Sequence, residues 1–183
     1  VIISIAAGIR VKDIHHWLGG DVAIVRAMPN TPALVRSGAT ALYANECTSE
    51  AQRNLSESIL RGVGMTCWIE QEALMDVVTA LSGSGPAYFF LLMELLEKTA
   101  IQMGLPADTA RLLTVQTAFG ASKLALESNE SVAILREKVT SPGGTTEVAL
   151  TKLLDGGMEA LLQEALMAAS KRSEELANEF GAE

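Results

Sequence analysis

The chain has 183 residues, 49% of them apolar and 20% charged, and carries a formal net charge of −8. This is ample for a core, in one large or two small domains on a prior of roughly 150 residues per domain, and unlike a disordered chain. The acidic balance argues against a broad nucleic-acid surface, which needs clustered Lys and Arg, and no apolar run approaches the roughly 20 residues of a membrane span.

The first stretch, Val1 to Ala7, is β-branched and apolar on both faces and reads as a buried strand of a parallel sheet. It has neither the basic start nor the long apolar region of a signal peptide. A lone buried strand at a chain start leads us to expect a further N-terminal portion in the natural protein. Val11 to Leu18 has helical spacing (Val11, Ile14, Leu18) closed by Gly19-Gly20. Val22 to Met28 reads as a second strand, stopped by Pro29-Asn30-Thr31-Pro32, and Ala39 to Ala44 as a third. Thr48 or Ser49 then caps a helix to Arg61, with Gln52 placed for a capping box, and Met65 to Ile69 is a fourth strand. This is the βαβ rhythm of an open α/β sheet, in which ligands sit beyond the carboxyl ends of the strands. Ala6-Ala7-Gly8 and Met28 to Thr31 are therefore candidate ligand-facing loops, although pattern alone favours simple strand ends. His15 and His16, adjacent on the first helix, point about 100° apart and read as a solvated surface pair. Cys47 and Cys67 lack any CxxC or Cys/His metal spacing, so we expect no metal centre and read both as reduced, buried thiols of a cytosolic protein.

From Glu72 the pattern is helical. Ala73 to Leu81 runs into Ser82-Gly83-Ser84-Gly85-Pro86, either a kink with Ser82 and Ser84 available or a plain joint, and Pro86 suits the start of a helix to Met103. The next helix, Ala107 to Glu127, is apolar around most of its circumference (Leu112, Leu113, Val115, Phe119, Leu124, Leu126). Such a helix is buried, and a region of about 110 residues has little volume to bury it, so a partner subunit is the expected cover. A short helix from Ser131 to Val139, another from Glu147 to Leu154 and a last one from Met158 to Phe180 complete the chain.

Between the first two of these lies Val139-Thr140-Ser141-Pro142-Gly143-Gly144-Thr145-Thr146-Glu147, the densest run of special-purpose residues in the sequence. Pro142 fixes its own φ, while Gly143 and Gly144 can take positive φ, so successive backbone N–H groups can point into one concavity. Thr145 or Thr146 would stand at a helix N-terminus, where the dipole also favours an anion. An ordinary helix–helix turn with a Thr cap explains the same residues equally well.

Taken together, Ala6-Ala7-Gly8, Arg26 to Pro32, Leu81 to Tyr88 and Val139 to Thr146 resemble, in order and spacing, the pyrroline-5-carboxylate reductases, and the resemblance covers nearly the whole chain. It implies an α/β plus all-α fold: residues 1–70 as the C-terminal part of a Rossmann-type NADP-binding domain, residues 71–183 as a helical substrate-binding and dimerisation domain. The Gly-rich fingerprint of the family, normally about a hundred residues ahead of Ala6, is not among these residues.

The implied reaction is hydride transfer from NADPH, or NADH, to L-1-pyrroline-5-carboxylate, making L-proline in the cytoplasm. Ser141, Gly143, Gly144 and Thr145 would bind the carboxylate, and Thr146 would orient the ring nitrogen as the catalytic group. Glu130 corresponds to an acidic family position near the nitrogen, with Ser131-Val132 where a Pro is frequent. Ala6, Ala7, Pro29 and Asn30 would lie along the cofactor, with Ser82 and Ser84 facing the nicotinamide. The helical domains would interlock into a homodimer, with a ring of dimers as a larger assembly. Other readings are a hydroxyacid dehydrogenase or ketopantoate-type reductase, though neither Lys98 nor Lys123 sits in their motifs, and a helical dimerisation module.

Overall fold

A computed structural model of the chain describes residues 1–20 and 22–181; Asp21, Ala182 and Glu183 lie outside the described residues. The β-branched runs form β1 (Ile2–Ser4), β2 (Ile24–Met28), β3 (Gly38–Ala44) and β4 (Gly64–Trp68), side by side in that order. β1 pairs parallel with β2, and β3 parallel with β4. The crossovers are α1 (Val11–Leu18) and α2 (Glu50–Arg61), at the positions the sequence suggests. The expected capping box opens α2: Gln52 Oε1 accepts from the Ser49 N–H at 2.9 Å while Ser49 Oγ accepts from the Gln52 N–H at 3.4 Å. The parallel rhythm breaks once, because β2 and β3 pair antiparallel. Only a 3-10 turn, Thr31–Val35, joins them, too short for the crossover a parallel pair requires.

Alternate residues of β2 face opposite sides of the sheet, as the pleat dictates. Ile24 packs with Val11 and Ile14 of α1, backed by Ile2, Ile9, Val22 and Tyr43. Val25 and Ala27 pack with Leu42, backed by Ile3, Ala44, Leu60 and Trp68. β1 is shorter than expected and only half-buried, with Ile5, Ala6 and Ala7 exposed, because among the described residues it pairs on one edge alone.

The expected surface pair of histidines also divides. His16 is exposed, but His15 is half-buried, its Nε2 lying 3.0 Å from Asn45 Nδ2 and 3.1 Å from the Val22 carbonyl. Asn45 further donates to the Val22 carbonyl at 2.8 Å and accepts from the Ile24 N–H at 3.0 Å and from Thr48 Oγ1 at 2.6 Å. Both cysteines, expected inside, are exposed thiols. Cys67 lies with Met65 on the open side of edge strand β4, and Cys47 occupies the turn between β3 and α2.

The remainder is helical: α3 (Leu74–Val78), a π-helical turn (Thr79–Gly83), α4 (Gly85–Gln102), α5 (Ala107–Glu127), α6 (Val132–Lys138), α7 (Thr145–Asp155) and α8 (Met158–Phe180). α4 begins at Gly85, one residue before the expected Pro86. The chain forms two compact units, Val1–Ala87 with Gln163–Glu183, and Tyr88–Leu162.

In the first unit the later part of α8 packs against the turn after β1. Gly8 has φ +76°, and a Cβ there would stand 3.3 Å from the Ala177 nitrogen, so this position needs Gly for conformation and for space. Ser173 Oγ donates to Asp76 Oδ1 at 2.6 Å, and Arg10 Nη1 to Asn178 Oδ1 at 2.9 Å. Glu72 Oε1 accepts from the Val11 N–H at 2.7 Å and from Arg26 Nη1 at 2.8 Å.

In the second unit the apolar side chains of α5 are not covered by their own chain. Leu112 is 67% exposed, Phe119 60% and Leu126 86%, and Ala110 is the buried residue of the helix.

The side chain of Arg26 is only 9% exposed, so removing its carboxylate partner strands a buried charge. Glu72→Ala is expected to cost about 3–5 kcal/mol, read as a lowered urea midpoint with an unchanged slope.

Candidate functional site

In the first unit, the parallel alignment of β1 and β2 brings Ala6 and Ala7 out on the same end of the sheet as Pro29 and Asn30. Ala6 and Ala7 are exposed, and their methyl groups leave room for a ligand close to the backbone. Asn30 is engaged internally. Its Oδ1 accepts from the Ala39 N–H at 2.8 Å, and its Nδ2 donates to the Ser82 carbonyl at 3.1 Å. The side chain thus bolts the loop after β2 to the start of β3 and to the π-helical turn.

That turn is where the helix path absorbs an extra residue: the Ser84 N–H donates to the Thr79 carbonyl at 2.8 Å, an i→i−5 bond. Ser82 Oγ donates to the Val78 carbonyl at 3.1 Å, whereas the Ser84 hydroxyl has no partner among the described residues. A Cβ at Gly83 would stand 2.6 Å from Met28 Cε, so Gly83 lets the turn approach the end of β2. Pro29, Asn30 and Ser82 are accordingly brought together, with Ser84 the better placed of the two serines to meet a ligand.

In the second unit, α7 begins at Thr145, two residues earlier than the apolar pattern suggests, because Gly144 takes the extended N-cap conformation (φ −82°, ψ 169°). Gly143 is left-handed at φ +71°. Its N–H donates to Glu147 Oε2 at 2.6 Å, and the Gly144 N–H donates to the Ser141 carbonyl at 3.0 Å. A Cβ at Gly144 would stand 2.5 Å from Ser141 Oγ and 3.0 Å from the Ser141 carbonyl oxygen, so the close turn excludes other residues. The two glycine amides that the sequence offers as anion donors are therefore spent inside the turn. The amides of Thr145, Thr146 and Glu147, in the first turn of α7, find no acceptor among the described residues, and neither do the hydroxyls of Ser141, Thr145 and Thr146.

The available donor set lies one residue further along than the glycine pattern suggests. It consists of three helix-terminal amides and three hydroxyls, with the positive end of the α7 dipole behind them. Glu130 is held by Lys138, whose Nζ donates to both carboxylate oxygens at 2.7 Å. Sequence reasoning passed over Lys138 and Glu147 as binding partners. The Glu147 signal was an acid four residues after a glycine that needs positive φ.

A cavity of about 390 Å³ in the first unit, bordered by Arg10, Arg26, Glu72, Asp76, Ser170 and Glu174, holds none of these donors, and its innermost charges already pair with one another. The groups with displaced titration also stand outside the motifs. The Trp68 indole N–H holds the Glu57 carboxyl below the usual carboxylate range, and Glu179 and Glu175 hold the Arg172 guanidinium up.

The pyrroline-5-carboxylate reductase dimerisation family matches residues 72–176. A pyrroline-5-carboxylate reductase of Pseudomonas aeruginosa is 51% identical over 181 residues, covering 99% of this chain and 66% of that protein. One of Pisum sativum is 39% identical, covering 96% of this chain and 64% of the relative. Among solved structures, a pyrroline-5-carboxylate reductase of Coxiella burnetii superposes with a TM-score of 0.92 at 52% identity, covering 95% of this chain and 64% of that one. A Plasmodium falciparum pyrroline carboxylate reductase with NADP bound superposes with a TM-score of 0.89 at 30% identity, covering 97% and 67%. The chain thus spans just under two thirds of the length of the first two relatives, at 66% and 64%. With four motifs in order, a sheet-plus-helices fold superposing along nearly its whole length and the dimerisation match, this chain belongs to the pyrroline-5-carboxylate reductase family.

Proposed function

We propose that the protein of which this chain forms part reduces L-1-pyrroline-5-carboxylate to L-proline with hydride from NADPH, NADH being the alternative donor, as a cytoplasmic enzyme of proline biosynthesis. The observation that carries the reading is the first turn of α7. It offers unpartnered Thr145 and Thr146 amides beside the unpartnered hydroxyls of Ser141 and Thr146, in a chain 51% identical to a named reductase.

The substrate is a cyclic imine bearing one carboxylate. The Thr145 and Thr146 amides and Ser141 Oγ take the carboxylate, with Gly143 and Gly144 shaping the turn that presents them. Thr146 Oγ then reaches the ring nitrogen. As hydride adds at the imine carbon, C2 of the pyrroline ring, the C=N π pair moves to nitrogen, which takes up a proton. An aliphatic hydroxyl is a feeble acid, so Thr146 orients the nitrogen and relays a proton that solvent supplies. Glu130 enters as a carboxylate already shared with Lys138 rather than as a free base, and adds negative potential for the protonated nitrogen.

When bound, the nicotinamide supplies the hydride. In the first unit Ala6, Ala7 and Pro29 line its path, Asn30 fixes the loop that presents Pro29, and Ser84, with Ser82 behind it, offers the polar contact. The fit rests on small exposed side chains at the ligand-facing end of a parallel strand pair.

The same reading includes a homodimer through the helical unit, with a ring of dimers as the larger form. Its support is the apolar circumference of α5 and the exposed Phe89, Phe90, Leu95 and Leu96 of α4, which a second copy would remove from water.

Assay of the full-length protein with pyrroline-5-carboxylate against 2-keto and 3-hydroxy acids tests the substrate class; preference for a keto acid would sink the reading. Thr146→Ala should lower kcat roughly 100-fold with little change in cofactor affinity. Ser141→Ala should raise KM for the imino acid roughly tenfold, the worth of one hydrogen bond to a charged group, and an unchanged KM removes Ser141 from the carboxylate site. Phe119→Glu should shift the light-scattering mass from dimer to monomer.

A further inference from the structure

We infer that Glu147 is a positioning residue for imino-acid binding: its carboxylate clamps the Gly143 turn and so confines the substrate carboxylate to the Thr145 and Thr146 amides. The inference rests on the proposed reading of this turn as the substrate loop.

Gly143 sits at φ +71°, yet a Cβ built there would meet nothing within 4 Å. Packing therefore does not hold it in the left-handed region. A glycine free of packing samples both signs of φ at little cost, so an unclamped turn would open. What holds it is hydrogen bonding, and its shortest bond is the charge-assisted one from the Gly143 N–H to Glu147 Oε2, at 2.6 Å. Glu147 is the third residue of α7, so its carboxylate also lies where the helix dipole favours an anion, and the clamp is stable without a ligand.

The clamp has a chemical consequence. An amide hydrogen already bound to a carboxylate is closed to a second one, and two carboxylates at one donor repel. A substrate carboxylate is therefore turned away from Gly143 and toward the helix-terminal amides that remain, those of Thr145 and Thr146 foremost. Those amides belong to the same short stretch whose backbone path Gly143 sets. Loss of the clamp loosens the donors without touching the Thr146 hydroxyl.

Glu147→Ala and Glu147→Gln in the full-length protein, with pyrroline-5-carboxylate as the varied substrate, test this. The alanine variant should raise KM for the imino acid roughly tenfold, with kcat and cofactor KM within about twofold of the parent. Glutamine keeps an oxygen that can accept from Gly143 and should restore most of the loss. A merely destabilised fold would lower kcat and cofactor affinity as well. An unchanged KM in the alanine variant overturns the clamp. A lowered KM also overturns it, and shows instead that Glu147 competes with substrate for the turn. Glutamine as poor as alanine overturns it too, since a retained acceptor for the Gly143 N–H would then fail to hold the turn.

If the parent protein turns over no pyrroline-5-carboxylate, the functional reading falls, and the clamp is judged by hydrogen–deuterium exchange. Exchange at the Gly143 amide should quicken in the alanine variant and slow again with glutamine; equal exchange in all three overturns the clamp.

Discussion

One carboxylate oxygen organises the first unit. Glu72 Oε1 receives the Arg26 guanidinium from the middle of β2 and the Val11 N–H from the start of α1, while Glu72 itself stands just ahead of α3. A bond to the Val11 amide satisfies one of the orphan donors at a helix start, and does so with a charge that suits the dipole. A buried pair of this kind adds little net stability over an apolar replacement, but removing one member is costly. Its value here is register. It sets where α1 leaves the sheet and where the chain turns from sheet to helix. It also fixes the floor on which Ser173 meets Asp76 and Asn178 meets Arg10. The position of α8 against Gly8 follows, and with it the shape of the turn carrying Ala6 and Ala7.

The second unit depends on a different constraint. Its apolar residues lie on so many sides of α4 and α5 that no single packed face absorbs them, and the chain leaves large aromatic and aliphatic side chains in water. Exposed apolar surface on that scale is the mark of an interaction face. The small residues along α5, among them Ala118, Gly120 and Ala121, would let another helix come close.

Much of this was legible because punctuation residues are local. α1 ends at Gly19, α5 and α8 begin directly after Pro106 and Gly157, and the Ser49–Gln52 box marks the start of α2. What escaped was settled by contacts distant in sequence or by side-chain direction. The π-helical turn has the same Ser-Gly composition as a plain joint, and only the i→i−5 bond to Thr79 distinguishes it. Asn30 looks like a polar loop residue offered to a ligand until Ala39 and Ser82 are seen to consume its amide. Cys67 follows from an apolar strand to a buried thiol only if both faces of β4 are covered, and one is open. The early start of α7 was hidden by two threonines, which an apolar-periodicity argument counts as loop although the first helical turn accepts them.

The motifs also mix two kinds of residue that a pattern cannot separate. Gly8, Gly83 and Gly144 are glycines because a Cβ would press on Ala177, Met28 or Ser141, and Gly143 because its φ is positive. All four shape backbone, whereas Thr145, Thr146, Ser141 and Ser84 carry hydroxyls without a partner among the described residues. A glycine in these motifs therefore marks where the chain must bend or approach, and free amides and hydroxyls lie one or two residues away. Between Ser141 and Glu147 the free donors are those of the threonines rather than of the glycines, whose amides are taken by Glu147 and Ser141. Glu147, which no motif had counted as part of the site, is thereby the residue on which the proposed presentation of those donors turns.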